Sequence, residues 1–297
     1  MNHTNPQLER RFVLALGISL LVFFAELGGG FWTGSLALLS DSAHVFLDVF
    51  ALALSYIALR VAALPADDRH TYGWHRLEVF AALANGITLL AITFGIFYEA
   101  WERIQNPTPI HSAEMLAIAV IGLIANLGVA RLLHEHHDDL NTRSAFLHVV
   151  GDALASLGVI AGGLIIMLTG WYIVDPLISV FIGVIIVAGS YRVLRSSLHI
   201  LFEGTPEGIA IHDVAQAMAQ VAGVREVHDL HLWSICSGYP ALSAHVLVAD
   251  AACEATTAQM GSLKQTLAER FGIQHTTIQF ETANCGQGTV VCKNGEG

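Results

Sequence analysis

Six long apolar stretches, separated by short polar segments, fill the first 204 residues of the chain. A helix needs about 20 mostly apolar residues to cross the hydrocarbon of a bilayer. Windows of that kind lie at residues 12–32, 37–62, 79–100, 113–133, 146–169 and 171–194, and a tight Thr-Gly-Trp turn joins the last two. The first window is longer than a usual signal-peptide core and lacks a small-residue cleavage site. The pattern therefore predicts six membrane-spanning helices.

After Glu203-Gly204-Thr205-Pro206 the pattern becomes that of a small soluble module. Apolar residues with helical spacing alternate with strand-like stretches whose apolar positions fall on one face. The predicted order is helix 208–221, strand 224–235, strand 241–248, helix 254–271 and strand 276–281. We expect an α+β layer with its helices on one face of a small sheet. The predicted domains are thus a transmembrane domain, 1–204, and a cytoplasmic domain, 205–297, whose Gly- and Asn-rich tail we expect to be mobile.

Composition supports the membrane assignment and argues against nucleic acid and nucleotides as binding partners. Only 13% of the residues are charged and 54% are hydrophobic, whereas about 25% charged residues is usual for soluble domains. The net charge is −11, which argues against nucleic acid, because phosphate binding requires many Lys and Arg. No Gly-x-x-x-x-Gly-Lys-Ser/Thr run is present, so we expect neither a nucleotide site nor pumping driven by ATP.

The arginines indicate the orientation of the chain in the membrane. Cytoplasmic connections carry an excess of Lys and Arg, and the opposite face of the predicted helices has only Arg103. The arginines that share the other side are Arg10, Arg11, Arg60, Arg69, Arg76, Arg131, Arg143, Arg192 and Arg195. We therefore expect both termini in the cytoplasm, in a multi-pass protein of the inner membrane.

Two predicted membrane helices carry the same pair of ionisable residues. His44 and Asp48 are four apart on the second helix, and His148 and Asp152 repeat that spacing on the fifth. Such residues lie one turn apart on one helix face, and ionisable groups inside a membrane indicate function. If the two faces meet, two nitrogens and two oxygens converge in a set that suits tetrahedral Zn²⁺. The alternatives are hydrogen bonds between packed helices and a proton relay without metal.

The remaining polar residues in the spans have simpler interpretations. Glu26, Asn85 and Asn126 are single, and hydrogen bonds between helices account for them. Asp175 lies next to Pro176 near the outer end of the sixth window, where it is expected to start a helix.

With these residues the chain resembles the cation diffusion facilitator family, in particular its zinc-transporting branch. The likeness covers nearly the whole chain, including the stretches 72–76, Tyr-Gly-Trp-His-Arg, and 227–233, Val-His-Asp-Leu-His-Leu-Trp. It implies a homodimeric exporter of divalent metal, coupled to H⁺, with a ferredoxin-like cytoplasmic domain that binds regulatory Zn²⁺. It also implies that His44, Asp48, His148 and Asp152 form the transport site.

The resemblance implies further metal ligands outside the membrane. In the cytoplasmic domain these are His228, His245 and Glu281, with His231 and His275 as weaker candidates for a neighbouring ion. In the loop between the second and third helices, Asp67 (or Asp68) and His70 match two positions of a further site. Trp74 stands where that site would have its second His.

A dimer contact is also implied by the resemblance. Within the family a salt bridge between the start of the third helix and the end of the sixth helps to hold the dimer, and Arg76 and Glu203 occupy those positions. All the cysteines lie in the module, where a cytoplasmic location disfavours disulfides. Cys285 and Cys292 are either free thiols or part of a metal site.

We therefore expect a zinc efflux transporter that exchanges Zn²⁺ for H⁺ by alternating access, and that also accepts Cd²⁺, Co²⁺ or Fe²⁺, since imidazole and carboxylate bind several such ions. The alternatives are a metal-sensing membrane protein and a metal-independent proton relay. An intramembrane metallohydrolase is disfavoured, because four protein ligands leave no open position for water, and we expect no enzymatic activity.

Overall fold

The computed structural model describes residues 6–62, 64–134, 140–249, 253–283 and 290. These residues divide into two compact units. One unit comprises 1–56 and 84–194, and the other comprises 57–83 and 195–297. The second unit thus contains the connection between the second and third helices as well as the C-terminal module.

Six long helices account for the apolar windows: α1 (Pro6–Thr33), α2 (Leu36–Ala62), α3 (Arg76–Gln105), α4 (Ser112–His134), α5 (Leu140–Thr169) and α6 (Val174–Leu201). Five of them contain described stretches long and apolar enough to cross a membrane, and α2 has a shorter one, Leu36–Phe46. Large apolar side chains such as Leu21, Phe24 and Phe31 are more than 60% exposed. Exposed apolar surface of this kind suits contact with lipid.

Several boundaries differ from the predicted windows. The structure starts α6 at Val174 instead of residue 171, because residues 171–173 form the turn that follows the left-handed Gly170 (φ +71°) at the end of α5. Helix α3 continues past the predicted end at residue 100, because Glu99 and Arg103 form an ion pair one helical turn apart. The last turns of α3 therefore contain charged residues, which an apolar window does not include.

Small residues allow the helices of the first unit to pack closely. A side chain at Gly29 of α1 would overlap Ile118 of α4, and one at Gly183 of α6 would overlap Phe97 of α3. Close backbone approach at such positions is a common way for membrane helices to associate. The buried residues between the helices form a continuous apolar core: Ala37, Leu38, Ile110, Met115, Ala119, Val159, Ile166, Ile182 and Ile186.

The C-terminal module has the predicted order of elements: α7 (Ile211–Ala219), β1 (Val224–Cys236), β2 (Tyr239–Val248), α8 (Cys253–Phe271) and β3 (His275–Glu281). The sheet order is β1-β2-β3, with β1 antiparallel and β3 parallel to β2. Met218 from α7 and Leu263 and Leu267 from α8 are fully buried against the sheet. The prediction of six apolar helices followed by a small α+β domain is confirmed.

One residue of the C-terminal tail contacts the sheet. The amide of Leu230 on β1 donates a hydrogen bond of 2.9 Å to the carbonyl of Val290, and the Val290 side chain packs against the module core. Apart from Val290, the predicted mobile tail after residue 283 lies outside the described residues.

Candidate metal centres

The first candidate centre joins α2 and α5 within the membrane helices. His44 Nε2 of α2 lies 3.5 Å from Asp152 Oδ1 of α5, and the Asp152 side chain is only 12% exposed. Asp48 and His148, the other members of the predicted quartet, belong to the same helices, but their side chains lie outside the part that the structure describes. One imidazole and one carboxylate from two different helices therefore meet, as the repeated pattern predicts.

Further polar residues surround this pair. Asp41, buried on α2, accepts a hydrogen bond of 3.3 Å from Ser156 Oγ of α5. Ser156 in turn accepts one of 3.5 Å from Asn126 Nδ2 of α4. These two hydrogen bonds link α2, α4 and α5, and the second is the interhelical hydrogen bond expected for Asn126.

Glu26 behaves differently from Asn126. Its carboxylate on α1 is 1% exposed and has no hydrogen-bond partner among the described residues. It packs on α4, where a Cβ added at Gly122 would lie 2.5 Å from Glu26 Oε1. The interhelical hydrogen bond expected for Glu26 is therefore not found in the described part of the chain.

The second candidate centre lies on the sheet of the C-terminal module. His228 on β1 is paired directly with His245 on β2, and Glu281 on β3 pairs with Leu247, two positions beyond His245. Glu281 Oε2 lies 3.1 Å from His228 Nε2, and Glu281 Oε1 lies 2.9 Å from His245 Nδ1. One ligand atom from each residue lies within 4.8 Å of the other two. Three neighbouring strands thus bring together the three predicted ligands.

Asp229 is a residue of this centre that the sequence analysis missed. Its Oδ1 lies 3.0 Å from His231 Nε2 and its Oδ2 lies 3.7 Å from His245 Nε2. Asp229 has a left-handed backbone (φ +47°) at the irregularity between His228 and His231 in the β1–β2 pairing. Asp tolerates this conformation better than most residues do. The sequence signal that could have identified Asp229 was its position between two candidate histidines. The alternation along the strand did not indicate the direction of its side chain.

The weaker candidates His231 and His275 do not join the three-residue group. His231 is linked to it only through Asp229. His275 begins β3, six residues before Glu281, and a strand rises about 3.3 Å per residue, so the two lie ~20 Å apart along it. The His275 ring instead contacts Tyr72, with ring centroids 5.0 Å apart.

The loop before α3 brings together two of its predicted ligands. Asp67 Oδ1 accepts hydrogen bonds from the amides of Arg69 (2.8 Å) and His70 (2.6 Å) and lies 3.1 Å from His70 Nδ1. These bonds, first from the Arg69 and His70 amides and then from the His70 ring, lower the pKa of the Asp67 carboxyl. Trp74 lies against the His70 ring, with centroids 3.8 Å apart. The Asp67–His70 pair is therefore formed, while the Trp74 ring lies beside it at the position predicted for a second histidine.

Arg76 and Glu203 also meet within one chain. Arg76 Nη2 at the start of α3 lies 3.5 Å from Glu203 Oε1 just after α6, and both side chains are exposed. The pair lines a cavity of about 740 Å³ in the second unit, together with His70, Trp74 and Trp233. A role of this pair in holding a dimer stays a prediction.

Cys236, at the end of β1, is buried as a free thiol. Burial, followed by the nearby Glu78 carboxylate, raises its pKa. Cys285 and Cys292 lie outside the described residues.

Comparison with known families identifies the class to which this arrangement belongs. A model described as the cation efflux transmembrane domain matches residues 12–202, and one described as the cytoplasmic domain of cation efflux proteins matches residues 206–283. The chain therefore belongs to the cation efflux family, the cation diffusion facilitators, and is a multi-pass membrane protein that exports metal cations. The predicted family is confirmed.

Several characterised proteins are similar over most of their length. The chain is 41% identical to the metal cation efflux system protein CzcD of Cupriavidus metallidurans, over 94% of this chain and 88% of that protein. It is 37% identical to a cadmium, cobalt and zinc/H⁺–K⁺ antiporter of Bacillus subtilis, over 99% and 96%. It is also 37% identical to the zinc transporter ZitB of Escherichia coli, over 96% and 92%.

A solved structure of the metal-bound C-terminal domain of CzcD from C. metallidurans is also similar. The identity is 38%, and the match covers 25% of this chain and 99% of that chain, with a TM-score of 0.23.

Proposed function

We propose that the chain exports Zn²⁺ in exchange for H⁺, as a homodimer in the inner membrane, and that it also accepts Cd²⁺ and Co²⁺. The observation that carries this proposal is the approach of His44 and Asp152 from two separate membrane helices to 3.5 Å. The names of the similar proteins, which include a zinc transporter and an antiporter of cadmium, cobalt and zinc, support the cargo and the coupling.

In this proposal the cargo ion is held by His44, Asp48, His148 and Asp152. Two imidazoles and two carboxylates match the tetrahedral preference of Zn²⁺. Because α2 and α5 each supply one ligand of each kind, a change in the distance between the helices dismantles the site without removing any ligand. Such a site binds in one conformation and releases in another.

Protons compete with the ion for the same atoms. An imidazole has an ordinary pKa of about 6.5 and ligates Zn²⁺ only when it is neutral. On an acidic outer face protonation therefore expels the ion. The protonated ligands then carry H⁺ inward when the site again faces the cytoplasm, which gives exchange without ATP.

The cytoplasmic centre fits a resident Zn²⁺. His228, His245 and Glu281 offer two nitrogens and one oxygen from three adjacent strands, a donor set that zinc accepts. His228 is fully buried and Glu281 is 10% exposed, so hydrogen bonds and packing hold these side chains in place. These residues would hold a regulatory ion, whose charge would offset the Glu281 carboxylate.

A cytoplasmic location of both termini is supported by the distribution of arginines. The opposite side of the predicted membrane helices has a single arginine, Arg103.

The decisive experiment measures zinc uptake into inside-out proteoliposomes under a pH gradient, with Asp152→Ala against the parent chain. Loss of a metal ligand should lower the initial rate by at least about 100-fold, since even residues that only orient ligands are worth 10–100-fold. Asp213→Asn, which removes an exposed carboxylate on α7, is the matched control and should transport normally. Full gradient-driven transport by Asp152→Ala would overturn the assignment of the site.

The same vesicles separate the alternative functions. A proton relay would show proton flux that does not depend on zinc, and a sensor would bind zinc without moving it. Exchange predicts instead that each zinc uptake phase is accompanied by alkalinisation of the vesicle lumen, measured with an internal pH dye.

A further inference from the structure

We propose that Asp175, at the start of α6, is a positioning residue for transport: it caps α2 and thereby fixes the helix that carries His44. This inference rests on the proposed function in so far as α2 supplies ligands for the cargo. The cap itself is described by contacts that involve no metal, and these can be tested separately.

The Asp175 carboxylate reaches across to another helix. It is fully buried, and Asp175 Oδ1 accepts hydrogen bonds from Ser35 Oγ (2.6 Å) and the Ala37 amide (3.2 Å). Asp175 Oδ2 accepts a bond of 2.7 Å from the Leu36 amide. Asp175 therefore does more than start its own helix, because it accepts bonds from the first turn of α2, about 140 residues earlier.

Ser35 completes this cap. It lies immediately before α2, and its hydroxyl oxygen accepts a hydrogen bond of 3.2 Å from the Leu38 amide. The first four amides of a helix lack partners within the helix. At α2, Ser35 and Asp175 together accept bonds from the first three, those of Leu36, Ala37 and Leu38.

Two positive groups lie near the Asp175 carboxylate. The N-terminus of a helix carries a partial positive charge, and here α2 presents it directly to Asp175. Arg103 of α3 adds a full positive charge, with Nη1 4.0 Å from Asp175 Oδ2. Arg103 also donates to the Gly34 carbonyl, and its Nε donates to Glu99 at 2.8 Å. One carboxylate thus joins the ends of α2, α3 and α6.

The consequence for transport follows from helix geometry. His44 lies eight residues after Leu36, or ~12 Å along α2 at 1.5 Å per residue. A rigid helix fixed at its first turn keeps a defined rotation, so His44 keeps its direction toward Asp152. When the cap is lost, the first turn frays and α2 can rotate, so that its ligands no longer converge. We therefore expect loss of the cap to weaken zinc binding, with little change in the fraction of active protein.

The test compares Asp175→Asn, Ser35→Ala and the double variant with Ser190→Ala in the full chain. Ser190 is a matched control, because it is buried on α6 and, among the described residues, bonds only to its own helix at the Ile186 carbonyl. Asn keeps one acceptor oxygen but places an N–H where the second carboxylate oxygen stood, so at least one of the α2 donors loses its partner with little change in volume. In Asp175→Asn, exchange of the Leu36–Leu38 amides should rise about tenfold, the scale of a lost cap, and the KM for zinc should rise about tenfold with the maximal rate within threefold.

Ser35→Ala should change both measurements in the same direction by about threefold, and it keeps the proposal testable if Asp175→Asn does not fold. Because Ser35 and Asp175 act as one cap, the double variant should be no worse than about twice Asp175→Asn. Two results would overturn the proposal: faster exchange confined to the start of α6, or a lower maximal rate with unchanged KM. If the parent chain moves no zinc, the proposed function fails, while the exchange measurement still decides whether Asp175 caps α2.

Discussion

The two candidate metal centres use similar ligands in opposite mechanical settings. In the membrane domain, His44 and Asp152 come from two separate helices, and His44 Nε2 lies 3.5 Å from Asp152 Oδ1. In the module, His228, His245 and Glu281 lie on three strands hydrogen-bonded to one another. The membrane ligands can therefore separate by a movement of helices, whereas the module ligands separate only if the sheet opens.

This difference suits two different tasks. A cargo ion has to be released in every cycle, so its ligands must be able to move apart. A regulatory ion has to stay bound through many cycles, which fixed ligands favour. Under the proposed function, the mobility of the elements that carry the ligands, rather than the ligand types, distinguishes the transport site from the resident site.

The largest expected effect tests whether the module holds its ion independently of transport. In an Asp152→Ala background, where the membrane site is disabled, Glu281→Gln should weaken the remaining tight zinc binding by about 100-fold, because a charged ligand is lost. Equilibrium dialysis of the full chain gives the affinity and the number of ions per chain. Thr277→Ala, an exposed change on the same strand, should leave both unchanged. Tight binding retained in Glu281→Gln would place the resident ion elsewhere.

In the otherwise native chain, Glu281→Gln should lower transport by no more than a few-fold. A complete loss of transport would contradict the separation of the two centres.

A smaller effect is expected at Asp229, whose backbone is left-handed. Asp229→Ala places a residue that tolerates this conformation poorly, at a penalty of about 1–2 kcal/mol. Asp229→Asn keeps the backbone preference and removes only the charge beside His231 and His245. The Ala variant should therefore be less stable than the Asn variant by about 1 kcal/mol, measured by chemical denaturation and Trp233 fluorescence. Equal stabilities of the two variants would show that the backbone preference of Asn over Ala has no effect at this position.

Arg76 should have a weaker effect still, because its pair with Glu203 is exposed. Such pairs contribute about 0–1 kcal/mol, so Arg76→Ala should weaken dimer formation by less than about fivefold. Concentration-dependent cross-linking in detergent measures this change. Arg69→Ala is the control, since Arg69 makes no ion pair among the described residues. Unchanged cross-linking and transport in Arg76→Ala would remove the pair from the dimer contact.

The smallest effect concerns pH in the loop before α3. Amides of Arg69 and His70 lower the pKa of Asp67, so its stabilising effect is complete above the unfolded pKa of about 3.9. That effect is lost as the pH falls through the lower pKa of the folded state. A carbon NMR titration of the Asp67 carboxyl should therefore have its midpoint below 3.9, and Asp67→Asn should abolish the signal and the local change. A midpoint at or above 3.9 would show that the turn is not formed in solution.

The sequence predicted what depends on local patterns. Apolar length revealed the helices, alternation revealed β1 and β2, and i,i+4 spacing put His44 and Asp152 each on one face with the other candidate ligand of its own helix. The left-handed Asp229 could not be foreseen, because an irregular strand changes the direction of its side chains without changing their spacing. The partner of Asp175 was equally hidden, since it lies about 140 residues away and only packing of α2 against α6 brings it close.

The contact between Val290 and β1 bears on how shortened forms of the protein behave. An edge strand with an unpaired amide can pair with a strand of another molecule. On the edge strand β1, the Leu230 amide instead donates a hydrogen bond to the Val290 carbonyl. A chain ending before residue 290 would present that amide, and the apolar surface beneath Val290, to its neighbours. Val290 thus covers this part of the β1 edge, so chains that retain it should stay dispersed at concentrations where chains truncated before it aggregate.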